Sequence, residues 1–317
     1  MKMVGNIKTV FFTSKEHIEI AKAEIETLCE CELQELSKGI FIGETKKTYP
    51  AKRFAYVKEI FSLNKQLPKN NYLDCLTDKD VLNSYKIRSI TQNKNQLKSK
   101  KIVDAVYEKL TDPKVSMKNP DHEYCFLWLD DEILFLELID RNLDDPENRK
   151  AHKKAHNHPT SMHPKLAKAI INLSGKETFH DPFCGTGGTV IEGALQGLKA
   201  SGSDIAPGLI EKAQVNAKEY GLDPSFFQKN ALELTEHFEA LITDLPYGRN
   251  STLTNKLDNL YEQFFSLAEK LTKVLVVGMM EKTLTENIFR NSSWKIKHEF
   301  IIYVHKSLSR KIFVLTK

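Results

Sequence analysis

The sequence predicts an α/β chain whose C-terminal half is a doubly wound, mostly parallel sheet, preceded by an α+β region. Three observations carry this reading. Strand-like and helix-like segments alternate after Pro164, the pattern of a parallel sheet with helices on both faces. The run Asp181-Pro182-Phe183-Cys184-Gly185-Thr186-Gly187-Gly188 joins a strand to a helix, and such sheets bind ligands beyond the carboxyl ends of their strands. Before Arg141 the apolar period changes between two and 3.6 without regular alternation.

In chain order, Lys8–Ser14 reads as a strand and Lys15 to about Cys31 as an amphipathic helix, with Ile18, Ala21, Ile25 and Leu28 turned to a core. Gly39–Gly43 reads as a second strand, and Ala51–Leu63 fits helix and strand equally. Tyr85–Thr91 is strand-like and Leu97–Leu110 helical. Glu123–Ile139 is a hairpin turning at Asp130-Asp131, whose Phe126, Trp128, Leu134, Leu136 and Leu138 are expected to pack on the preceding helix. After Arg141 comes a polar stretch with no apolar period, read as an interdomain linker. The second domain is expected to run helix 164–173, strand 178–181, helix 189–198, strand 200–204 and helix 209–220. Strands 226–228, 240–243 and 273–277 follow, with an antiparallel closing hairpin of 296–305 and 311–315.

Composition narrows the function. At 317 residues and 41% hydrophobic content the chain is long enough for two cores. It has no long apolar run and no signal-peptide pattern near its start, so no membrane association and a cytosolic location are expected. The five cysteines lack zinc-knuckle and thioredoxin spacing and read as free thiols. The net charge of +4 is modest, but the basic residues cluster. Lys86, Arg88, Lys94, Lys98, Lys100 and Lys101 lie in one acid-free stretch. A second contains Arg149, Lys150, Lys153, Lys154 and Lys165 with His152, His156, His158 and His163. Each is a candidate phosphate-contacting surface or a solvated face. The histidines, on a linker without cysteine partners, suit phosphate or loop contacts better than a metal, and none is expected.

The glycines of the 181–188 turn let a backbone approach a ligand closely. A dinucleotide fingerprint would place glycine or alanine where Val190 stands, which disfavours nicotinamide or flavin. S-adenosylmethionine fits better: Asp181 can serve its ammonium end, backbone amides its carboxylate, and Asp204, closing the next strand, the two ribose hydroxyls. Asn230 can serve the adenine amino group. The cofactor residues expected from this pattern are Asp181, Phe183, Cys184, Gly185, Thr186, Gly187, Gly188, Asp204, Ile205, Asn230 and Ala231. Cys184 reads as a small buried hydrophobe better than as a nucleophile.

Asp244-Leu245-Pro246-Tyr247 suits reaction at an exocyclic amino group of a nucleobase. The lone pair of such an amine is delocalised into the ring. Asp244 and a backbone carbonyl beside Pro246, each accepting one N–H, draw the nitrogen toward tetrahedral geometry. Proline restricts its own φ and the residue before it, and Tyr247 offers a stacking surface. The alternative is a strand ending in a proline turn.

The segment His158–Ala167 (HPTSMHPKLA), the Asp181–Gly188 turn and the Asp244–Arg249 motif, in that order, resemble the archaeal tRNA guanine-10 N2-methyltransferases. The resemblance implies a class I methyltransferase domain preceded by a THUMP-containing region that grasps the tRNA acceptor end. It also implies that residues around Met162 help cover the cofactor, with a second methylation of the same amine plausible. The sequence departs from the family pattern at Thr160 (glycine expected), Leu245 (proline expected) and Asn230 (an acid expected). The expected layout is an α+β, ferredoxin-like subdomain over 1–63, a THUMP domain over 64–143, a linker over 144–160 and the methyltransferase domain over 161–317. Asp244, Pro246 and Tyr247 are the expected catalytic residues; Lys86, Arg88, Lys98, Lys100, Lys101, Lys153, Lys154 and Arg249 are the expected RNA contacts. The partner is tRNA, with no obligatory protein partner evident. Methylation of adenine N6 is the nearest rival, and a noncatalytic RNA-binding protein the next.

Overall fold

The computed structural model describes residues 3–77, 83–91, 96–112, 114–150, 155–156, 161–246, 251–280, 292–305 and 308–317. The chain divides into two units, Met1–Leu143 and Asp144–Lys317.

The first unit is built on one seven-stranded sheet. Its strands are β1 (Met3–Thr13), β2 (Leu33–Ser37), β3 (Ile40–Lys47), β4 (Val57–Pro68), β5 (Tyr85–Thr91), β6 (His122–Trp128) and β7 (Glu132–Arg141), in the order β2-β3-β1-β4-β7-β6-β5. Helix α1 (Ile18–Cys29) buries Ala21 and packs Ile25 and Leu28 with Phe11, Phe41 and Phe54. Helix α2 (Gln96–Lys109) lays Val106 and Tyr107 beside Tyr124, Phe126 and Phe135. Strand alternation sends the neighbours of these residues to the opposite face. Phe126 and Trp128 meet α2 as expected, but Leu134, Leu136 and Leu138 pack with Val10, Phe12 and Phe61 instead. The boundary expected after residue 63 falls inside β4, which pairs with β1 on one side and β7 on the other. The sheet is therefore continuous across it.

The second unit contains α3 (Pro164–Leu173), β8 (Thr178–Asp181), α4 (Gly188–Leu195), β9 (Lys199–Asp204), α5 (Pro207–Lys218), β10 (Ser225–Gln228), β11 (Leu241–Asp244), α6 (Ser251–Leu271), β12 (Val274–Met280), β13 (Lys295–His305) and β14 (Leu308–Thr316). Its sheet has the order β10-β9-β8-β11-β12-β14-β13. The first five are parallel, and β14 runs antiparallel to both β12 and β13. This is the class I methyltransferase arrangement. The last two strands do form the expected antiparallel pair, but β14 inserts between β12 and β13. The strand order reverses between β8 and β11, and a ligand cleft opens where such a reversal occurs.

The polar segment after residue 143 is anchored. Arg149 donates to Asp144 at 2.7 and 2.9 Å and to Glu192 of α4 at 2.8 and 3.1 Å. Lys168 of α3 also bonds Asp144. Residues 144–149, expected to be linker, thus belong to the second unit. Among the described residues no helix is long and apolar enough to cross a membrane.

Candidate active site

The carboxyl ends of β8, β9 and β11 carry Asp181, Asp204 and Asp244, and the last two line a cavity of about 440 Å³. That volume suits a nucleoside-sized ligand. Asp204, Ile205, Asn230 and Ala231 line it, with Phe183, Gly185, Asp244, Leu245 and Pro246. A side chain added at Gly185 would meet nothing within 4 Å, and its φ of +54° suits glycine. Gly187 has φ +84°, and a Cβ there would stand 2.9 Å from the Phe226 ring. The turn therefore needs both residues as they are.

Both Asp204 oxygens accept backbone N–H groups, Oδ2 from Gly185 and Oδ1 from Ala206, each at 3.0 Å. A carboxylate has about four acceptor sites, so two hydroxyls can still be held. Ile205, 66% exposed, offers an apolar surface beside it. The Asn230 side chain caps the short 3-10 turn Ala231–Glu233, accepting from Leu232 N–H at 3.1 Å, so its position on the wall is fixed locally.

Asp181 lies next to the lining residues Pro182 and Phe183. It is buried and is not among the cavity's lining residues. Its Oδ1 accepts the Phe183 N–H at 3.1 Å and the Thr243 hydroxyl at 2.6 Å. Burial pushes its carboxyl up to about 7, against the Thr243 and Phe183 hydrogen bonds, which favour the charged form. It organises the turn from beneath. Cys184 is also buried, packed where Gly202 leaves no room for a Cβ. Burial and the nearby Asp181 and Asp204 hold its thiol protonated, well above the usual range. Thr186 is buried, Gly188 opens α4, and Met162 is half-buried ahead of α3, outside the lining residues.

Asp244 ends β11 opposite Gly278 of β12. A Cβ at Gly278 would lie 2.4 Å from Asp244 Oδ1, so the carboxylate occupies the space that glycine leaves. Its Oδ2 accepts from Arg310 Nη2 at 2.9 Å. The Pro246 carbonyl accepts the Tyr261 hydroxyl at 2.6 Å, and burial pushes that phenol up to about 12. Leu245 buries its side chain among Tyr261, Phe264 and Val277 and donates its N–H to Gly278. Tyr247 and Arg249 lie outside the described residues.

The expected RNA contacts divide. Lys86 is paired with Glu123 at 2.9 Å and Arg88 with Glu59 at 2.5 Å, while Arg141 bridges the same two acids. Lys100 and Lys101 are exposed on α2, where Lys98 also lies. Lys153 and Lys154 lie outside the described residues. In the second basic run, Arg149 and Lys150 have acidic partners.

Sequence reasoning missed Arg310, Gly278, Thr243 and Asn216. The Asn216 amide, fully buried on α5, accepts from His156 N–H at 3.0 Å and donates to the carbonyls of His156 and Thr186 at 2.9 and 3.0 Å. It ties His156 to the glycine turn. A polar residue inside the apolar stripe of Ile210, Ala213 and Ala217 was the available signal.

The family model described as an RMKL-like methyltransferase domain matches residues 151–310. The chain belongs to that family. The RMKL-like match contains the turn, the Asp244 motif and Arg310. A second model, described as a DNA methylase, matches residues 13–215 and stops before Asp244. The chain is 28% identical to the tRNA (guanine(10)-N2)-dimethyltransferase of Methanothermobacter thermautotrophicus over 96% of its own length and 98% of that protein. It is 31% identical to the enzyme of the same name from Pyrococcus abyssi, over 64% of each chain. The fold is shared with TrmN from Thermus thermophilus at a TM-score of 0.51, 17% identity and coverage of 98% of this chain and 99% of that one. It is likewise shared with SMU.472 in complex with SAH, at 0.51 and 16%, covering 98% of each chain.

Proposed function

We propose that the protein transfers a methyl group from S-adenosylmethionine to the exocyclic N2 of a guanosine in tRNA, at position 10. The observation that carries this is Asp244, at the end of β11, facing the same cavity as Asp204 and Ile205. The full-length likeness to tRNA (guanine(10)-N2)-dimethyltransferases supports guanosine over adenosine and tRNA over DNA.

The cavity fits the cofactor: its volume, the open space at Gly185 and the spare acceptor sites of Asp204 suit a nucleoside with two ribose hydroxyls. Asp204 holds the hydroxyls, Ile205 covers one face of the base and Asn230 stands at its edge. When bound, S-adenosylmethionine supplies an electrophilic methyl on a cationic sulfur. Asp244 accepts one N–H of the guanine amine. The Leu245 carbonyl, just before Pro246, takes the other, while the Tyr261 hydroxyl holds the Pro246 carbonyl in place. Holding nitrogen and methyl in line supplies roughly 7–11 kcal/mol of the barrier reduction, and Asp244 favours the positive charge developing on nitrogen. The first unit is the RNA-grasping, THUMP-containing part, with exposed Lys100 and Lys101 on α2 meeting phosphate.

Reaction of the protein with unmodified tRNA, followed by nucleoside mass spectrometry and mapping, tests the function. N2-methylguanosine or N2,N2-dimethylguanosine at position 10 is expected, and N6-methyladenosine instead would replace this reading with its nearest rival. Asp244→Ala should lose at least about 100-fold in rate while still binding cofactor.

A further inference from the structure

Arg310 lies on β14, opposite Met280 of β12 and Ile302 of β13, and is only 4% exposed. Its position follows from topology. Because β14 runs against its neighbours, its start lies at the edge of the sheet where β11 and β12 end, and its side chain reaches Asp244. A buried ion pair is often no more stabilising than apolar residues of the same volume. Stability alone is therefore a weak account of an arginine here, against the one carboxylate assigned to the target amine.

We propose, resting on the function above, that Arg310 is a positioning residue which fixes Asp244 Oδ2 and keeps the carboxylate ionised. Asp244 is then a fixed acceptor of the amine N–H and not the final acceptor of its proton. The step balances without a base. The N2 lone pair forms the bond to the methyl carbon, the carbon–sulfur bond breaks with its electron pair left on sulfur, and the cationic nitrogen releases one proton to water. A guanidinium stays charged at all relevant pH, and an adjacent one opposes protonation of a carboxylate.

The titratable groups that face Asp244 include Asp181 from β8, Tyr261 from α6 and Arg310 from β14; opposite it, β12 presents uncharged Gly278. Tyr261 is held protonated by burial. Asp181, pushed up to about 7 chiefly by burial, adds a step of its own that wild type and variants share.

The test is the single-turnover methylation rate of full-length protein on unmodified tRNA from pH 4 to 9, with cofactor affinity and thermal unfolding measured alongside. Arg310→Met is expected to lose about tenfold or more at pH 7. Its acidic limb should move up by about one pH unit or more, with cofactor affinity unchanged. Arg310→Lys should restore most of the rate and the wild-type limb. If the Met variant does not fold, Arg310→Gln, which still has an N–H for Oδ2 but no charge, should show the shifted limb. A folded Met or Gln variant with the wild-type profile, or one slowed equally at every pH, overturns the proposal. A wild-type protein that methylates no tRNA guanosine overturns the function and this inference with it, whereas normal transfer by Arg310→Met overturns only the role of Arg310.

Discussion

The Thr243 hydroxyl donates to Asp181 Oδ1 at 2.6 Å, tying the strand that ends in Asp244 to the strand that opens the glycine turn. Thr243→Val keeps the shape and removes the donor. The expected cost is about 1–3 kcal/mol. It should be larger at pH 8, where Asp181 is ionised and needs its donors, than at pH 5, where burial leaves it protonated. Urea unfolding at the two pH values checks this, and an equal or reversed loss counts against the assigned role of Asp181.

Two buried groups set opposing pH dependences of stability. Burial lowers His180 from its ordinary 6.5 to about 4, while its ring bonds Ser201 and Ser203. Its contribution is present above pH 6.5 and is lost as pH falls through 4. Asp181 is raised from 3.8 to about 7, so its contribution is present below pH 3.8 and is lost as pH rises through 7. Between pH 4 and 6.5 the two slopes, each about 1.4 kcal/mol per pH unit at most, oppose one another. In Asp181→Asn only the His180 slope remains. The variant should therefore lose stability on acidification more steeply than wild type, as read from urea midpoints at half-unit intervals.

Glu192 is buried, and both its oxygens are bonded by Arg149. Arg149→Met strands that carboxylate and should cost about 3–5 kcal/mol. Adding Glu192→Gln should recover part of the loss. A double-mutant cycle by chemical denaturation measures the coupling, and additive effects would contradict the pairing.

Lysines on α2 should dominate the salt dependence of tRNA binding. Replacing exposed Lys100 and Lys101 with alanine should lower the slope of log K against log salt by about two. Lys86→Ala should change it little, because Lys86 already has Glu123 at 2.9 Å. Filter binding across a salt series distinguishes the two; equal effects would restore Lys86 as a phosphate contact.

Gly278→Ala should act on chemistry more than on cofactor binding. The added methyl would stand 2.4 Å from Asp244 Oδ1, so the carboxylate must move. A displacement of this kind can cost about 100-fold in rate. Single-turnover kinetics with parallel cofactor titration checks it, and an unimpaired rate would mean that Asp244 need not lie over Gly278.

Legibility in the sequence followed the range of the interactions. Helix Pro164–Leu173 and strands Thr178–Asp181 and Tyr85–Thr91 emerge with the boundaries read from periodicity, because the first two are bounded by proline, glycine or aspartate and the third by serine and asparagine-rich polar segments. Asp204 and Asp244 were visible as carboxylates closing strands. The partners of Lys86 and Arg88 were not. Their acids come from β6 and β4, and which residues stand side by side depends on a register set across several strands. The same holds for Arg310, which meets Asp244 across 66 positions of sequence with no local pattern to mark it. Leu33–Ser37 escaped as a strand because its burial follows no clean alternation.

The placement of β14 also gives the site a history. During synthesis Asp244 leaves the ribosome 66 residues before Arg310, a delay of roughly 3–13 s at usual elongation rates. Through that interval the aspartate lacks Arg310 and β12 lacks its antiparallel neighbour. A nascent chain can thus form the glycine turn early, whereas the Asp244–Arg310 pair waits for the synthesis of β14.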